Sequence, residues 1–410
     1  MAAVRCSLIF LWVVFCANGQ KFYTYISDLG PDYVELAWGR VDGVNTIGRS
    51  APSFGLATIK LGGKTASTRA NSITIAGLEP DHEYRYEVSV GDSKVGEGHV
   101  RTWADKADKL AFFVIGDYGT GKEPQFRVAR KMREEFEQLE KTSNPVRFML
   151  STGDNIYGNI AGYLLGALQT GTKDSDWAPK FFEPYERLIA SVPFFLTLGN
   201  HDGNETEARG DLAAILDNAP YPQDKPGRYY SFTYGGLAKF VGLDSTKNTE
   251  SGPATPVFLE EGAEFHWMQQ EFAKAHPMWL IPFYHHPAFN AGPLHAPSLR
   301  DLHHWVDLFA RSGVKVVFNG HEHNFQMSEA NEQSEGIRFI TSGAGGELRA
   351  GNVLHKMKKR NIAAWASENH FLLVEIYGKT MRVTPVSVAE MNVRDSSGHS
   401  VSLPITITLP

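Results

Sequence analysis

Five apolar runs of this chain each end in a short loop carrying aspartate, asparagine or histidine, and no other feature constrains its fold so tightly. Leu110–Ile115 leads to Gly116-Asp117-Tyr118-Gly119, and Arg147–Leu150 leads to Gly153-Asp154-Asn155-Ile156-Tyr157. Pro193–Leu198 leads to Gly199-Asn200-His201-Asp202, Trp279–Tyr284 to His285-His286-Pro287, and Val314–Phe318 to Gly320-His321-Glu322-His323. Short apolar runs bounded by turn residues read as strands buried on both faces. Between the first two, Phe126, Ala129, Met132, Phe136 and Leu139 recur at helical spacing, and further helices are expected over Glu264–Ala275 and Ser298–Arg311. Lys239–Leu243 and Ile337–Ile340 are additional strand-like runs. The alternation predicts an α/β domain. In such sheets ligands bind beyond the carboxyl ends of the strands, so the five loops can converge on one place.

Each loop has an ordinary explanation when taken alone. Gly-Asp after a strand is a common turn, His-X-His occurs by accident on surfaces, and His285-His286 reads as one buried ring beside an exposed one. All five together, each at a strand end, specify chemistry. Two carboxylates, an amide oxygen, three imidazoles and a phenol form a ligand set suited to iron, zinc or manganese. A carboxylate can bridge two metals, and a metal pair clamps the attacking and leaving oxygens of a phosphoryl transfer. Tyr157 discriminates among metals, because a phenol with an ordinary pKa of about 10 is a poor ligand for a divalent ion at acid pH. Fe(III) binds it as phenolate. Asp154-X-X-Tyr157 thus predicts trivalent iron beside a divalent neighbour.

The ends of the chain and its composition narrow the setting. Residues 1–19 read as a signal peptide: Arg5 is followed by the apolar run Leu8–Ala17, and Ala17 and Gly19 fit the small-residue pattern before a cleavage site. That run is too short to span a bilayer, which needs about 20 residues. The two cysteines, Cys6 and Cys16, both fall within residues 1–19, so the mature chain would carry neither a disulfide nor a thiolate ligand, and no inter-chain disulfide. The net charge of −6 argues against a nucleic-acid partner, whose binding rests on many Lys/Arg–phosphate contacts. Asn204-Glu205-Thr206 is a possible glycosylation sequon.

Residues 20–104 read differently. Val34–Trp38, Ile73–Ile75 and Tyr84–Val90 alternate apolar and polar residues between Gly and Pro clusters, which predicts an all-β sandwich. The stretch Gly77-Leu78-Glu79-Pro80-Asp81-His82-Glu83-Tyr84-Arg85-Tyr86, with Trp38 on an early strand, resembles the turn-and-tyrosine segment of a fibronectin type III domain. It shows no catalytic constellation and reads as a packing module. Residues 105–410 form the second unit, in which the alternating stretch Ile405-Thr406-Ile407-Thr408 is expected to complete a sheet.

Asp117-X-Gly119, Gly153-Asp154-X-X-Tyr157, Gly199-Asn200-His201-Asp202, His285-X-Pro287 and Gly320-His321-X-His323 together resemble the purple acid phosphatases, members of the calcineurin-like metallophosphoesterases. The resemblance covers residues 108–385, and the larger purple acid phosphatases also carry an N-terminal fibronectin-like domain. It implies an α/β metallophosphoesterase sandwich in which Asp117, Tyr157 and His323 hold Fe(III). Asp154 would bridge to a divalent iron, zinc or manganese ion completed by Asn200, His285 and His321. His201 and His295 would contact the phosphate or protonate the leaving alkoxide. His286 is expected behind the ligands rather than among them, and His303 and His304 on a helix surface or cap. Departures are Pro282, where the family has valine, and a single histidine near 295. The implied function is that of a secreted acid phosphatase acting on small phosphate monoesters. The alternatives are a metallophosphodiesterase of the same superfamily, which would commonly carry histidine at Gly119 and lack Tyr157, and a non-catalytic adhesion or binding protein.

Overall fold

A computed structural model of the chain describes residues 21–40, 51–158, 177–202, 228–247 and 258–410. The signal peptide with its cysteines and the Asn204 sequon lie outside the described residues. Among the described residues seven strands build the first unit, β1 (Phe22–Leu29), β2 (Tyr33–Arg40), β3 (Ala57–Leu61), β4 (Lys64–Thr68), β5 (Ser72–Ala76), β6 (Glu83–Val90) and β7 (Ser93–Arg101), of which β1 and β2 are buried on both faces. They pair antiparallel in two sheets, β1-β2-β5 and β4-β3-β6-β7, which pack as a sandwich. Trp38, Leu36, Ile59 and Val88 are buried in its core. At its tyrosine-bearing turn, the Glu79 N–H donates to Tyr84 Oη at 2.8 Å.

Leu110–Ile115 and its successors pair into two larger sheets. The first runs β10 (Phe194–Leu196), β9 (Val146–Ser151), β8 (Lys109–Ile115), β18 (His370–Tyr377), β19 (Thr380–Ser387) and β20 (Ile405–Thr408). The second runs β11 (Tyr230–Tyr234), β12 (Ala238–Gly242), β13 (Trp279–Phe283), β14 (Val316–Asn319), β16 (Arg338–Ser342), β15 (Phe325–Ser328) and β17 (Ile362–Ala366). The site-bearing strands β8, β9 and β10 are mutually parallel, as are β12, β13, β14 and β16. Antiparallel strands are added outside them, and β20 completes the first sheet against β19. Pro282 sits within β13, whose ladder to β14 holds one registered pair, Phe283 with Phe318. A proline has no N–H to donate, so that ladder is thin at this point.

A phenylalanine-rich core joins the sheets. Phe112 of β8 lies 5.1 Å from Phe240 of β12 and 6.1 Å from Phe318 of β14, centroid to centroid, and Phe148 of β9 lies 5.0 Å from Phe240. Helix α1 (Glu123–Leu139) buries Val128, Ala129, Met132 and Phe136. Helices α2 (Glu183–Ile189), α3 (Ala263–Ala273) and α4 (Leu299–Arg311) follow. His304 of α4 is not a surface or cap residue: it is buried, its ring is edge-on to Phe265 at 4.7 Å, and Nε2 donates to the Phe258 carbonyl at 2.9 Å. Its neighbour His303 is exposed. The two units share one apolar core, with Trp103 packed among Phe148, Phe195, Phe232 and Tyr234.

Candidate metal centre

Register brings the loops level. Ile115 pairs with Ser151, and Ser151 with Leu196, so the chains leaving β8, β9 and β10 emerge side by side. Pairing of Phe283 with Phe318 does the same for β13 and β14 in the facing sheet. The turns are tight: Asp117, Asp154 and His321 hold positive φ values of 57°, 53° and 72°. Such conformations are costly for residues with a Cβ and persist where surrounding structure over-determines them. Close approach is built in as well. A Cβ on Gly199 would lie 2.1 Å from Asp154 Oδ1, so only glycine lets the two loops cross.

Two donor clusters result. In one, the Tyr157 hydroxyl lies 3.2 Å from Asp117 Oδ1, 2.9 Å from Asp154 Oδ2 and 3.1 Å from His323 Nε2, which is itself 3.3 Å from Asp117 Oδ1. Donors bound at about 2.1 Å to a common ion stand about 3.0–3.4 Å apart in octahedral or tetrahedral arrangement, so Tyr157, Asp117 and His323 are spaced to share one cation, with Asp154 Oδ2 beside them. In the other, Asn200 Oδ1, His285 Nε2 and His321 Nδ1 form a triangle with sides of 2.8, 2.8 and 3.2 Å. With His285 Nδ1 donating to the Thr152 carbonyl at 2.8 Å, the neutral form of the ring, the one that ligates metal, turns the lone pair of Nε2 to the lone pairs of Asn200 Oδ1. Facing acceptors repel unless a cation lies between them. The donor set therefore fits a metal pair.

Asp154 belongs to both clusters. Its Oδ2 faces Tyr157, while Oδ1 is 3.5 Å from His285 Nε2 and accepts the His201 backbone N–H at 2.9 Å. Asp117 turns its other oxygen, Oδ2, to the His321 backbone N–H at 2.8 Å.

Electrostatics agree with a cation-binding role. Burial raises the Asp117 carboxyl well above the usual carboxylate range, with the charge of Asp154 adding to it. Burial also opposes ionisation of Asp154, but positive charge on the neighbouring imidazoles of His285 and His201 outweighs it and holds that carboxyl at about 2, a charge that a bound cation would supply in their place. Burial, then the Asp117 and Asp154 charges, push the Tyr157 phenol well up, so it keeps its proton unless a strong Lewis acid takes its place. Burial and neighbouring imidazoles keep His321 well below its ordinary value, and burial and the Arg349 charge lower His323 to about 4. Neutral imidazoles are the form that ligates metal.

The two remaining predicted residues flank these clusters. The His201 ring lies against Tyr157 at 4.6 Å, and its buried Nδ1 has no hydrogen-bond partner among the described residues. The His295 ring stacks on His321 at 3.9 Å with planes 19° apart. Burial, then Arg349, lowers His295 to about 4. His286 stands closer to the predicted ligands than expected: its ring is 4.4 Å from His321, and a nitrogen of it groups with His285 and His321. Ser245 positions it, with Oγ 3.0 Å from Nδ1 and accepting the His286 backbone N–H at 2.9 Å.

Sequence reasoning missed three residues. Asp202 is fully buried and accepts from the backbone N–H groups of Gly199 (2.8 Å), Asn155 (3.0 Å) and Ile156 (3.1 Å), and from Asn155 Nδ2 (2.7 Å), tying the β9 and β10 loops together. Its place directly after Asn200-His201 was the available signal. Glu322, between the candidate ligands His321 and His323, and Arg349, in the loop after β16, meet beside His295. An acid inside Gly-His-X-His was a visible hint of a nearby cation, but nothing in the sequence identified which.

Residues 110–325 match the family model for calcineurin-like phosphoesterases. Among curated relatives, purple acid phosphatase 4 of Arabidopsis thaliana is 25% identical over 59% of this chain and 70% of its own length. Purple acid phosphatase 3 of the same plant is 24% identical over 67% and 73%. Among solved structures, the purple acid phosphatase PPD1 from yellow lupin (Lupinus luteus) seeds superposes with a TM-score of 0.65 at 14% identity, covering 96% of this chain and 75% of that one, a likeness of fold. The family match spans more than half of the chain and takes in both donor clusters, so the chain belongs to the calcineurin-like phosphoesterase family.

Proposed function

We propose that the protein is an exported acid phosphatase of the purple type, hydrolysing small phosphate monoesters with Fe(III) and a divalent iron, zinc or manganese ion. The observation that carries this reading is the Tyr157 phenol oxygen sharing one donor cluster with Asp117, Asp154 and His323. Asp117, Tyr157 and His323 would hold the trivalent ion, Asp154 would bridge, and Asn200, His285 and His321 would hold the divalent one. When bound, the pair supplies a water-derived nucleophile at acid pH and positive charge for the phosphoryl oxygens.

The chain's own groups do the rest. Asp154, pinned by the His201 N–H, fixes the separation of the two clusters. His201, against Tyr157, and His295, held over His321, would face the phosphoryl group, and one or the other would give a proton to the departing alkoxide. No covalent phosphoenzyme is required. Monoester rather than diester chemistry is supported at Gly119, where a Cβ would lie 1.8 Å from the Asn155 carbonyl oxygen. The loop thus has no room for the histidine common in the phosphodiesterases. In this reading residues 20–104 are a packing module, and residues 1–19 direct export.

The experiment is phosphate release from an aryl phosphate monoester and the matching diester across about pH 4 to 8, with metal content and the visible spectrum recorded on the same sample. Acid-side monoester turnover, with a visible phenolate–Fe(III) band lost in Tyr157→Phe, is expected. Preferential diester cleavage at neutral pH would replace the purple-type reading with the diesterase. Absence of both activities with two metals bound would point to the non-catalytic alternative.

A further inference from the structure

Arg349 lies beyond the family match and beyond every ligand loop, yet its side chain reaches the site. Its Nη1 is 3.1 Å from His295 Nδ1 and 3.2 Å from Nε2, and the His295 ring stacks on His321 at 3.9 Å. One imidazole therefore separates the guanidinium from a ligand of the second cluster. The backbone holds it there: the Arg349 N–H donates to the His323 carbonyl at 2.9 Å, and its own carbonyl accepts from Ser367 Oγ.

Glu322 explains why a cation can stand beside a site already expected to be rich in positive charge. Its carboxylate is fully buried, and Oε2 accepts from the His295 backbone N–H and from Asn290 Nδ2, each at 3.1 Å. Its Oε1 has no hydrogen-bond partner among the described residues and lies 3.8 Å from Arg349 Nη1. A buried carboxylate without a countercharge is costly, so Glu322 anchors the guanidinium. That spacing is an ion pair rather than a hydrogen bond, and a quarter of the Arg349 side chain remains exposed. Its other N–H groups are not committed by Glu322.

We propose that Arg349 is a substrate-binding residue that grips the non-bridging oxygens of a phosphate monoester, with Glu322 as its positioning residue. The proposal rests on the reading of this site as a phosphate-ester hydrolase and deepens it. Guanidinium presents planar paired donors that match phosphate oxygens. A monoester has three non-bridging oxygens where a diester has two, and the esterified oxygen of a diester offers such a fork neither the charge nor the room. Arg349 would thus select monoesters.

The test uses the full chain with its metals, comparing wild type with Arg349→Ala, Arg349→Lys and Glu322→Gln. The readouts are metal content, calorimetric affinity for inorganic phosphate, and kcat/KM for the aryl monoester and the matching diester. With metal content unchanged, Arg349→Ala should bind phosphate at least about 10-fold more weakly and lose about 10²-fold in monoester kcat/KM, the scale for removing one preorganised oxyanion donor. Diester kcat/KM should stay within about 3-fold, Arg349→Lys should recover part of the loss, and Glu322→Gln should fall between. Equal losses on both esters, unchanged phosphate affinity, or loss of metal in Arg349→Ala would each overturn the proposal. A wild type that cleaves neither ester but binds phosphate more tightly than Arg349→Ala would remove the hydrolase reading and leave the anion contact standing.

Discussion

Replacing Gly199 by alanine perturbs the site while leaving every donor in place. The added Cβ would lie 2.1 Å from both the backbone nitrogen and Oδ1 of Asp154, and 2.8 Å from its Cγ. Non-bonded heavy atoms prefer about 3.5 Å, so the Asp154 loop or the Gly199 loop must retreat by roughly 1 Å. A backbone atom is among the obstacles and cannot swing aside as a side-chain tip can. Overpacking of this kind costs about 1–3 kcal/mol. A shift of about 1 Å in a catalytic group costs about 10²-fold in rate. Gly199→Ala should therefore show about 100-fold lower monoester kcat/KM, a lower Tm and weaker retention of one metal on dialysis. Gly63→Ala is the control: nothing lies within 4 Å of its Cβ, but its φ of +84° imposes about 1–2 kcal/mol of backbone strain. It should lose stability with activity and metals intact. Wild-type turnover and two metals in Gly199→Ala would refute the argument that this loop crossing places Asp154.

Asp202→Ala orphans the N–H groups of Gly199, Asn155 and Ile156, and should cost about 3 kcal/mol or more together with metal retention, whereas Asp202→Asn, which keeps one acceptor, should cost less. Thermal melting and metal analysis of both variants check this; equal behaviour of the two would count against the clamp. Glu271 supplies a pH dependence. Burial raises its carboxyl, but Lys239, Lys274 and Ser231 outweigh that and hold it at about 2, below the unfolded value of about 4.3. Its stabilisation is thus fully present above about pH 4.3 and is lost as pH falls toward 2. The Tm difference between wild type and Glu271→Gln should be steady near pH 6 and narrow below about pH 4; a gap that widens on acidification would reverse the sign.

How much was legible in advance divides along physical lines. Donor type is local chemistry, so Asp117, Asp154, Tyr157, Asn200, His321 and His323 stand out in the strand-end motifs, with His285 preferred to His286 on the family resemblance, and the structure brings these donor atoms into two clusters. Strand ends were less exact: the apolar run Val314–Phe318 predicts a strand that forms only over Val316–Asn319, because hydrophobicity marks burial and pairing sets the ladder. His304 looked like a surface residue on a helix because its partner, the Phe258 carbonyl, is brought to it only by packing.

The sequence by itself determined the α/β alternation, the all-β unit before it, and the donor types, since each depends on residues within a few positions of one another. Tertiary structure alone decided the rest. It faced two sheets across a phenylalanine core so that loops from both meet, and it gave the two oxygens of Asp154 to different clusters. It closed the Asp202 clamp across the β9 and β10 loops and brought Arg349 to Glu322. These are contacts between residues far apart in the chain, and whether they form depends on register and sheet packing, which no short motif encodes.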